Sequence, residues 1–363
     1  MSNISHKKIL FLSPYPFDKA PSQRLKYEQY YSFIQKEGFE ITTSSFVDEH
    51  FWKIIYKEGN LFLKGFYTLK GYIRRIKDLL TIRKYDIVYV HLWVTPLGFT
   101  FFEWMLVLFA KKLVYDIDDL IFLGHTSDAN KKSKFLKGKA KAIYLMKKAD
   151  HVITCTPMLD EFARKYNSNT TDISSTINTS VYIPKKDYNI NGKIVLGWSG
   201  SHSTSKFLHL LDEVFIDLKK EIDFELLIIG DPDFKLKGIN VTAIPWTATN
   251  EVSDLSKIDI GLYPLPDEPW VYGKSGLKAL QYMALGIPTI ASGIGANFRV
   301  VTNEENGLLV KSNEEWKSCI LKLKNDLSLR ERIGKQGRLS VEEKFSLSAN
   351  KDKYLGILKK MTS

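Results

Sequence analysis

Cysteine is scarce in this chain of 363 residues, and its two cysteines fit no metal-binding or disulfide pattern. Cys155 and Cys319 lie far apart and no Cys-x-x-Cys pair accompanies them, which argues against a structural zinc motif or a disulfide framework. No amino-terminal apolar run is long enough for a secretion signal. The most apolar stretch, residues 93–110, contains Pro96 and Glu103 and predicts a buried helix rather than a membrane span. We therefore expect a soluble cytoplasmic protein.

Dinucleotide and nucleoside-triphosphate motifs are also lacking. The predicted first strand, residues 8–13, is followed by a Pro-Tyr-Pro turn instead of Gly-x-Gly-x-x-Gly, which argues against an NAD or FAD enzyme. Gly273-Lys274-Ser275 has the form of the end of a P-loop, but Glu268 stands where that motif requires its first glycine. Prolines in the preceding loop remove further backbone donors, so we reject a P-loop.

Negative charge is the minority charge, and the imbalance is uneven along the chain. The sequence has 52 basic and 41 acidic residues, a net charge of +11. Residues 1–180 hold 27 basic and 18 acidic residues, a net +9, whereas residues 181–363 hold 25 and 23, a net +2. The first half is therefore expected to face an anionic partner.

Two segments carry most of this basic surplus. Residues 51–86 hold nine basic residues, three acidic residues and eight aromatics, and residues 131–148 hold eight lysines and no acid. Lysines interleaved with aromatics on helices suit an anionic membrane surface. The alternative is a solvated helix face whose aromatics pack inward, and the sequence leaves both interpretations open.

Short β-branched runs alternate with helical segments along the whole chain, which predicts an α/β fold with parallel sheets. The rhythm restarts near residue 193, so we expect two Rossmann-like doubly wound domains with an interdomain cleft. The predicted parts are a first domain (1–181), a polar linker (182–192), a second domain (193–345) and a C-terminal helix (346–363) packing back on the first domain. The predicted strands are residues 8–13, 39–46, 85–92, 112–117, 150–154, 193–198, 224–229, 239–244, 258–263 and 287–291.

A turn with two lysines precedes a predicted helix in the second domain. Small residues and lysines at a helix start favour anion binding, so we predict phosphate contacts from Lys274, Ser275, Gly276 and Lys278. The first strand-to-helix turn of this domain is similar in character and adds Gly200, Ser201, Ser203, Thr204 and Lys206. Capping of the following helix by Ser203 or Thr204 is the alternative. Two such turns at one sheet edge suit a diphosphate.

The segment 256–310 contains GK-x-G-x-K-x-LQYMA-x-G-x-P-x-x-AS-x-x-G followed by NG-x-L. In this it resembles the donor-binding half of retaining GT-B glycosyltransferases, glycosyltransferase family 4. The Gly-Trp-Ser-Gly-Ser-His-Ser-Thr segment that starts at Gly197 resembles the other diphosphate loop of that family. The Tyr-Asp-Ile-Asp-Asp run at 115–119 resembles a feature of one subgroup.

The resemblance implies donor contacts, with one departure from the family pattern. Many members carry two glutamates eight positions apart, and the corresponding residues here are Gly273 and Gln281. Gln281 is then expected to bind the ribose as a neutral partner, and Lys274 or Glu268 is expected to substitute near the sugar. Gly230, Trp246 and Glu251 lie in the loops expected to hold the nucleoside, where Trp246 either stacks on the base or simply packs.

In the first domain the resemblance implies an acceptor side. We place Ser13, Arg24, His91, Asp116, Asp118 and Asp119 there. Arg24 either grips a phosphate or is solvated, and His91 is either functional or structural. Three carboxylates within four residues repel one another when buried together. A metal ion is one way to hold them, but we favour acceptor binding or activation of the acceptor hydroxyl, and we expect no metal.

The activity implied is transfer of a sugar from a nucleotide diphosphate sugar, with retention, to a glycan or a polyprenyl-diphosphate-linked acceptor in polysaccharide or glycoconjugate assembly. Lys206, Lys278 and Asp118 are the predicted catalytic residues, with no cofactor and no enzyme nucleophile. The enzyme is expected to sit peripherally on the inner face of the cell membrane. A catalytically silent homologue acting as a donor- or membrane-binding scaffold is the alternative. Nucleic-acid binding is disfavoured because no such module is visible.

Overall fold

The computed structural model describes residues 7–118 and 139–362. The chain divides into two compact units, one formed by residues 1–175 and 350–363 and the other by residues 176–349. Each unit contains a six-stranded parallel sheet with helices. Asp119 and the lysines at 131–137, which the sequence analysis had singled out, lie outside the described residues.

The first sheet has the strand order β2-β1-β3-β4-β5-β6. Its strands are buried runs such as Ile9–Leu12, as expected when helices cover a parallel sheet. The strands are β1 (Lys7–Ser13), β2 (Phe39–Ser45), β3 (Ile87–His91), β4 (Leu113–Asp116), β5 (His151–Thr154) and β6 (Thr170–Asp172). The helices are α1 (Pro21–Arg24), α2 (Tyr31–Lys36), α3 (Glu49–Ile55), α4 (Leu61–Thr81), α5 (Phe101–Phe109), α6 (Lys139–Lys148) and α7 (Pro157–Arg164).

The second sheet has the order β12-β11-β10-β7-β8-β9. Its strands are β7 (Ile194–Ser199), β8 (Phe224–Ile229), β9 (Val241–Ile244), β10 (Ile260–Tyr263), β11 (Thr289–Ser292) and β12 (Leu308–Val310). The helices from this point to the carboxyl end are α8 (His202–Ser205), α9 (Asp212–Glu221), α10 (Glu251–Leu255), α11 (Leu277–Ala284), α12 (Asn297–Val300), α13 (Asn313–Asn325), α14 (Leu327–Ser340) and α15 (Leu347–Thr362). Edge strands β6 and β12 have three residues each and were not predicted, because so short a run carries little periodicity.

The chain between the two predicted domains belongs to the second unit. Within residues 182–192, Tyr182 and Tyr188 are buried. Helix α15 starts at the end of the second unit, and its residues from Asn350 onward belong to the first. There the rings of Tyr354 and Tyr30 have centroids 4.4 Å apart, and the α15 side chain Lys359 pairs with Glu37 over 2.6 Å.

The helical segment between β1 and β2 is broken into three short pieces. Helix α1 ends at Arg24, a 3-10 turn covers Glu28–Tyr30, and α2 begins at Tyr31. The break turns Lys26 inward, where its ammonium forms a buried ion pair with Asp116. This long-range pair therefore overrides local helical periodicity.

The buried helix predicted over residues 93–110 is wrong in both length and burial. Helix α5 begins only at Phe101, after Pro96 and a left-handed Gly98 (φ +89°) interrupt the backbone. Its outer side exposes Phe101, Trp104 and Leu108. Within the described residues, no helix is long and apolar enough to cross a membrane.

Candidate functional site

The carboxyl ends of β7 and β8 meet in the second unit through two glycines. The backbone N–H of Gly200 donates to Ile229 O at 2.9 Å. Gly230 has φ +106°, and a Cβ there would lie 2.0 Å from the carbonyl oxygen of Gly200. Only glycine fits at 230, so the predicted diphosphate loop and the predicted nucleoside loop are in direct contact.

Lys278, in the first turn of α11, reaches this edge of the sheet. Its Nζ lies 5.1 Å from the ring centroid of Trp198 and 5.5 Å from that of Tyr263. A Cβ at Gly200 would lie 2.7 Å from the Lys278 Cε, so the glycine makes room for the lysine. Burial, with a further contribution from the charge of Lys274, lowers the pKa of Lys278 to about 8. The structure thus places a partly desolvated ammonium between two aromatic faces.

The other two predicted lysines each contact one ring of a pair of aromatic side chains. Phe207 and Trp270 have ring centroids 5.3 Å apart. The Nζ of exposed Lys206 lies 5.4 Å from the Phe207 centroid, and that of Lys274 lies 5.6 Å from the Trp270 centroid. Lys206 and Lys274 thus lie on either ring of this pair, and Lys274 precedes α11, whose own N-terminus adds a partial positive charge.

Small residues shape both of the turns that were predicted to bind phosphate. Gly276 is the N-cap of α11 with φ +74°, and it follows the half-buried Ser275. In the other turn the hydroxyls of Ser201 and Ser203 lie 2.9 Å apart, and Thr204 donates to Ser201 O at 3.0 Å. No side chain caps α8, so the capping alternative for Ser203 and Thr204 gains no support.

A buried acid that was not predicted from the sequence lies beside this turn. Asp231 follows Gly230 and is 3% exposed. It accepts hydrogen bonds from the Ser205 hydroxyl (2.5 Å) and from the His202 ring at Nδ1 (3.1 Å). The hydrogen bond to Asp231 raises the pKa of the exposed His202. The available signal in the sequence was an acidic residue directly after the glycine that follows β8.

Three of the four predicted nucleoside residues form one hydrogen-bond network, together with an unpredicted tyrosine. Glu251 is buried and accepts from Trp246 Nε1 at 2.9 Å and from the Tyr182 hydroxyl at 2.8 Å. Gln281 Nε2 donates to Glu251 Oε1 (3.1 Å) and to the Tyr182 hydroxyl (2.9 Å). Trp246 is thereby held beside Gly230, where a Cβ would lie 3.5 Å from the Trp246 Cβ.

The first unit holds a second polar cluster at the carboxyl ends of its strands. Asp116, the last residue of β4, is fully buried and pairs with Lys26. It also accepts from the Tyr89 hydroxyl at 2.6 Å and lies 3.3 Å from His91 Nδ1. Burial acts to raise the pKa of Asp116, but Lys26 and the His91 hydrogen bond bring it below the ordinary value. Asp116 is therefore ionised.

Two predicted acceptor-side residues meet at the end of β3. His91 Nε2 is buried, has no hydrogen-bond partner among the described residues, and lies 3.9 Å from Asp118 Oδ1. The Asp118 side chain is 11% exposed, and its backbone oxygen accepts from the Cys155 thiol at 3.1 Å. Because Asp116 Oδ2 lies at His91 Nδ1, the geometry favours the tautomer that leaves Nε2 as the acceptor.

The structure corrects the predicted acceptor-side roles of Asp116 and Ser13, and it places Arg24 beside an acidic side chain. Asp116 cannot reach an acceptor, because its carboxylate is enclosed by Lys26 and Tyr89. Ser13 is also buried, and its hydroxyl donates to Tyr15 O at 3.1 Å. Arg24 lies 4.0 Å from Asp18, an ion pair at the limit of contact. In the described ranges, 7–118 and 139–362, no group of three or more His, Cys, Asp or Glu is placed to hold a metal ion.

A surface pocket of about 490 Å³ lies at the other edge of the second sheet, lined by residues that include Lys193, Asp223 and Phe224. These residues stand at the amino ends of β7 and β8. Ligands of parallel sheets bind at the carboxyl ends of the strands, so we assign the pocket no part in the site.

Part of the second unit matches a known protein family. Residues 193–326 match the family described as Glycosyl transferases group 1. The capsular polysaccharide biosynthesis glycosyltransferase CapM of Staphylococcus aureus is 29% identical over 172 residues, which is 43% of this chain and 43% of CapM. The match thus spans less than half the length of that relative.

Solved structures match over nearly the whole chain. Sucrose-phosphate synthase from Thermosynechococcus elongatus superposes with a TM-score of 0.72 at 18% identity, covering 98% of this chain and 99% of that chain. Anabaena Alr3699/HepE in complex with UDP and glucose gives 0.70 at 16% identity, covering 98% and 100%. The chain therefore has the GT-B fold of glycosyltransferases, which confirms the predicted fold class.

Proposed function

We propose that the protein is a retaining glycosyltransferase that moves a sugar from a nucleotide diphosphate sugar to a glycan or a lipid-linked acceptor. One observation carries the proposal: Lys278, Lys274 and Lys206 gather at the carboxyl ends of β7 and β10. Like charges that are held together and partly removed from water are stabilised most strongly by an anion bound between them. The Glycosyl transferases group 1 match over the same residues supports a sugar-nucleotide diphosphate as that anion.

In this proposal the lysines act on the leaving group. As the bond between the sugar and the diphosphate breaks, negative charge grows on the diphosphate, and Lys206 and Lys278 stabilise it. The departing diphosphate takes the acceptor proton on the same face of the sugar, so no enzyme nucleophile and no metal ion are needed. The preorganised position of Lys278 between Trp198 and Tyr263 keeps the cost of reorganisation low.

The nucleoside is assigned to the network around Glu251. Trp246 and Gln281 are held by the same carboxylate oxygen, so the base-side indole and the ribose-side amide are positioned together. Anabaena Alr3699/HepE, whose structure has a similar fold, is in complex with UDP and glucose, so UDP-glucose is the first donor to test.

The acceptor is assigned to the first unit, with His91 and Asp118 contacting its hydroxyl. Asp116 acts here as a positioning residue for His91. The name of CapM supports a place in polysaccharide assembly. We assign the enzyme to the anionic inner face of the cell membrane, where a polyprenyl-diphosphate acceptor is found.

The test measures donor binding and turnover separately. Calorimetry with a panel of UDP- and GDP-sugars is expected to give binding of at least one, and Lys206→Ala and Lys278→Ala should each lower turnover about 10²-fold or more. Lys237→Ala changes an exposed lysine of the same unit and serves as the control. Near-normal turnover in both site variants removes the diphosphate site. Donor binding without turnover on any acceptor argues for a silent scaffold instead.

A further inference from the structure

Helix α4 packs inward through Arg75 and through partly buried side chains such as Tyr72 and Leu79, and it leaves an apolar stripe on its outer side. The helix residues that are buried are Gly71 and Arg75. Six large apolar side chains on the outer side are between 45% and 92% exposed: Phe62, Phe66, Leu69, Ile73, Ile76 and Leu80. Their spacing of three or four residues places them in one stripe along the helix. A soluble surface helix normally shows the opposite arrangement.

Specific contacts fix this orientation. Arg75 donates from Nε to Val94 O at 2.8 Å, from Nη2 to Ser13 O at 2.8 Å and from Nη1 to Asp78 at 2.9 Å. A Cβ at Gly71 would lie 2.6 Å from the ring of Phe46, so the helix sits directly on that ring. Rotating the apolar stripe inward would break these hydrogen bonds and leave the carbonyl oxygen of buried Val94 without the Arg75 donor, which is costly. The stripe therefore stays outside.

Helix α5 runs beside α4 and extends the apolar surface. The rings of Tyr72 and Phe102 have centroids 5.5 Å apart, and the Arg83 guanidinium lies 5.1 Å from the Phe109 centroid. The first contact joins the two helices, and the second joins the end of α5 to the 3-10 turn Ile82–Lys84 that follows α4, so the helices lie side by side. Helix α5 exposes Phe101, Trp104 and Leu108 by 48–57%. We call these three side chains and the six of α4 the docking face.

The charges around the docking face select the occupant. In residues 61–84 the only acidic residue is Asp78, and it forms an ion pair with Arg75. Lys70 and Lys77 are exposed on α4, and the Nζ of Lys70 lies 4.9 Å from the Phe66 centroid. A second copy of this chain would bring lysines against lysines, whereas anionic lipid headgroups complement them.

We infer that the docking face binds an anionic phospholipid bilayer, with α4 and α5 lying in the plane of the interface. The apolar stripe enters the headgroup–acyl boundary, the Trp104 indole sits at the headgroup level, and Lys70 and Lys77 contact lipid phosphates. This deepens the membrane part of the proposed function, and it requires no donor bound to the second unit.

Vesicle flotation of the full chain tests the inference. Binding is expected to vesicles that mix phosphatidylcholine with phosphatidylglycerol, to weaken with added salt, and to be much weaker for phosphatidylcholine alone. Phe62→Ser/Phe66→Ser/Leu69→Ser should lower the partition coefficient at least about tenfold. The matched control is Ile216→Ser/Phe298→Ser/Leu339→Ser, which removes three similarly exposed apolar side chains from the second unit and should bind like the parent.

Charge variants and a second readout complete the test. Lys70→Glu/Lys77→Glu should remove the preference for anionic vesicles, whereas Lys235→Glu/Lys237→Glu in the second unit should keep most of it. Equal flotation of the triple variant and the parent overturns the inference. The inference is also overturned if the parent binds neither kind of vesicle but sediments as a dimer, and the triple variant sediments as a monomer. Calorimetry with UDP-glucose on the same variants separates this outcome from failure of the donor site, because none of these side chains belongs to it.

Discussion

The side-chain amide of Gln281 donates a hydrogen bond of 3.1 Å to the carboxylate of Glu251. The same carboxylate oxygen accepts the indole N–H of Trp246, and the Tyr182 hydroxyl donates to the other oxygen. Because a carboxylate only accepts hydrogen bonds, its neighbour at position 281 has to be a donor. The chain carries its acid at 251, and this gives a physical reason for an amide, not a glutamate, at 281.

Gln281→Glu is expected to destabilise the protein in a pH-dependent way. Two buried carboxylates then lie within hydrogen-bond distance, so one retains a proton and its pKa rises above that of the unfolded chain. That neutral form is favoured at low pH, and stability is lost as the pH rises through the raised pKa. Near neutral pH we expect a loss of about 1–3 kcal/mol, measured by denaturant unfolding.

The exchanged pair provides the control for that variant. Glu251→Gln/Gln281→Glu restores one acid and one amide, and it should recover part of the lost stability and flatten the pH dependence. If the single variant unfolds at the same denaturant concentration as the parent across the pH range, the two side chains are not coupled in solution.

The affinity of the free enzyme for the donor should decline on the alkaline side because of Lys278. The pKa of this lysine is lowered to about 8 by burial and by Lys274. Its positive charge is therefore lost as the pH rises through about 8, and with it one attraction for the diphosphate. Calorimetric titration of UDP-glucose across this range should show the decline.

Lys274→Ala separates this explanation from a general loss of positive charge. Removing the neighbouring charge raises the pKa of Lys278, so the alkaline decline should move to higher pH even though overall affinity falls. Lys206→Ala should lower affinity without moving the decline, because Lys206 is not a cause of the shift. A decline at the same pH in all three proteins contradicts the assignment to Lys278.

The part of the site that could be predicted from the sequence is the part that depends on where the parallel strands end. Glycine-rich turns after buried runs placed Gly200 and Gly230 at the carboxyl ends of β7 and β8, and parallel strands bring such ends together. The aromatic supports of the lysines, Trp198 and Trp270, were missed because their contacts depend on how distant loops pack. For α4, periodicity shows that one face is apolar but does not say which face the neighbouring elements cover.

Lys26 illustrates a further limit of sequence reasoning, and it supports a prediction. Its partner Asp116 lies 90 positions away, so no local pattern identifies the pair. Lys26→Ala leaves a buried carboxylate without its cation, and we expect a loss of about 3–5 kcal/mol in the free energy of unfolding. In the parent protein the pKa of Asp116 is lowered, so the stability contributed by its ion pair with Lys26 is present at neutral pH. That stability is lost as the pH falls through the lowered pKa.

A surface lysine nearby in the sequence is the matched control for Lys26. Lys19 pairs with Glu49 over 3.7 Å, and both side chains are well exposed. Lys19→Ala should change stability by no more than about 1 kcal/mol, because solvent screens such pairs. Similar unfolding curves for the two alanine variants contradict the burial of Lys26.

The imidazole of His202 should add to donor binding at mildly acidic pH. Its hydrogen bond to Asp231 raises its pKa, so the ring is charged below that raised value and loses its charge as the pH climbs. His202→Gln should therefore weaken UDP-glucose binding more at acidic than at alkaline pH. Asp231→Asn should return the pKa of His202 toward its ordinary value, which the pH titration of the ring proton resonances measures directly. Unchanged resonances in Asp231→Asn would show that the ring and the carboxylate are not paired in solution.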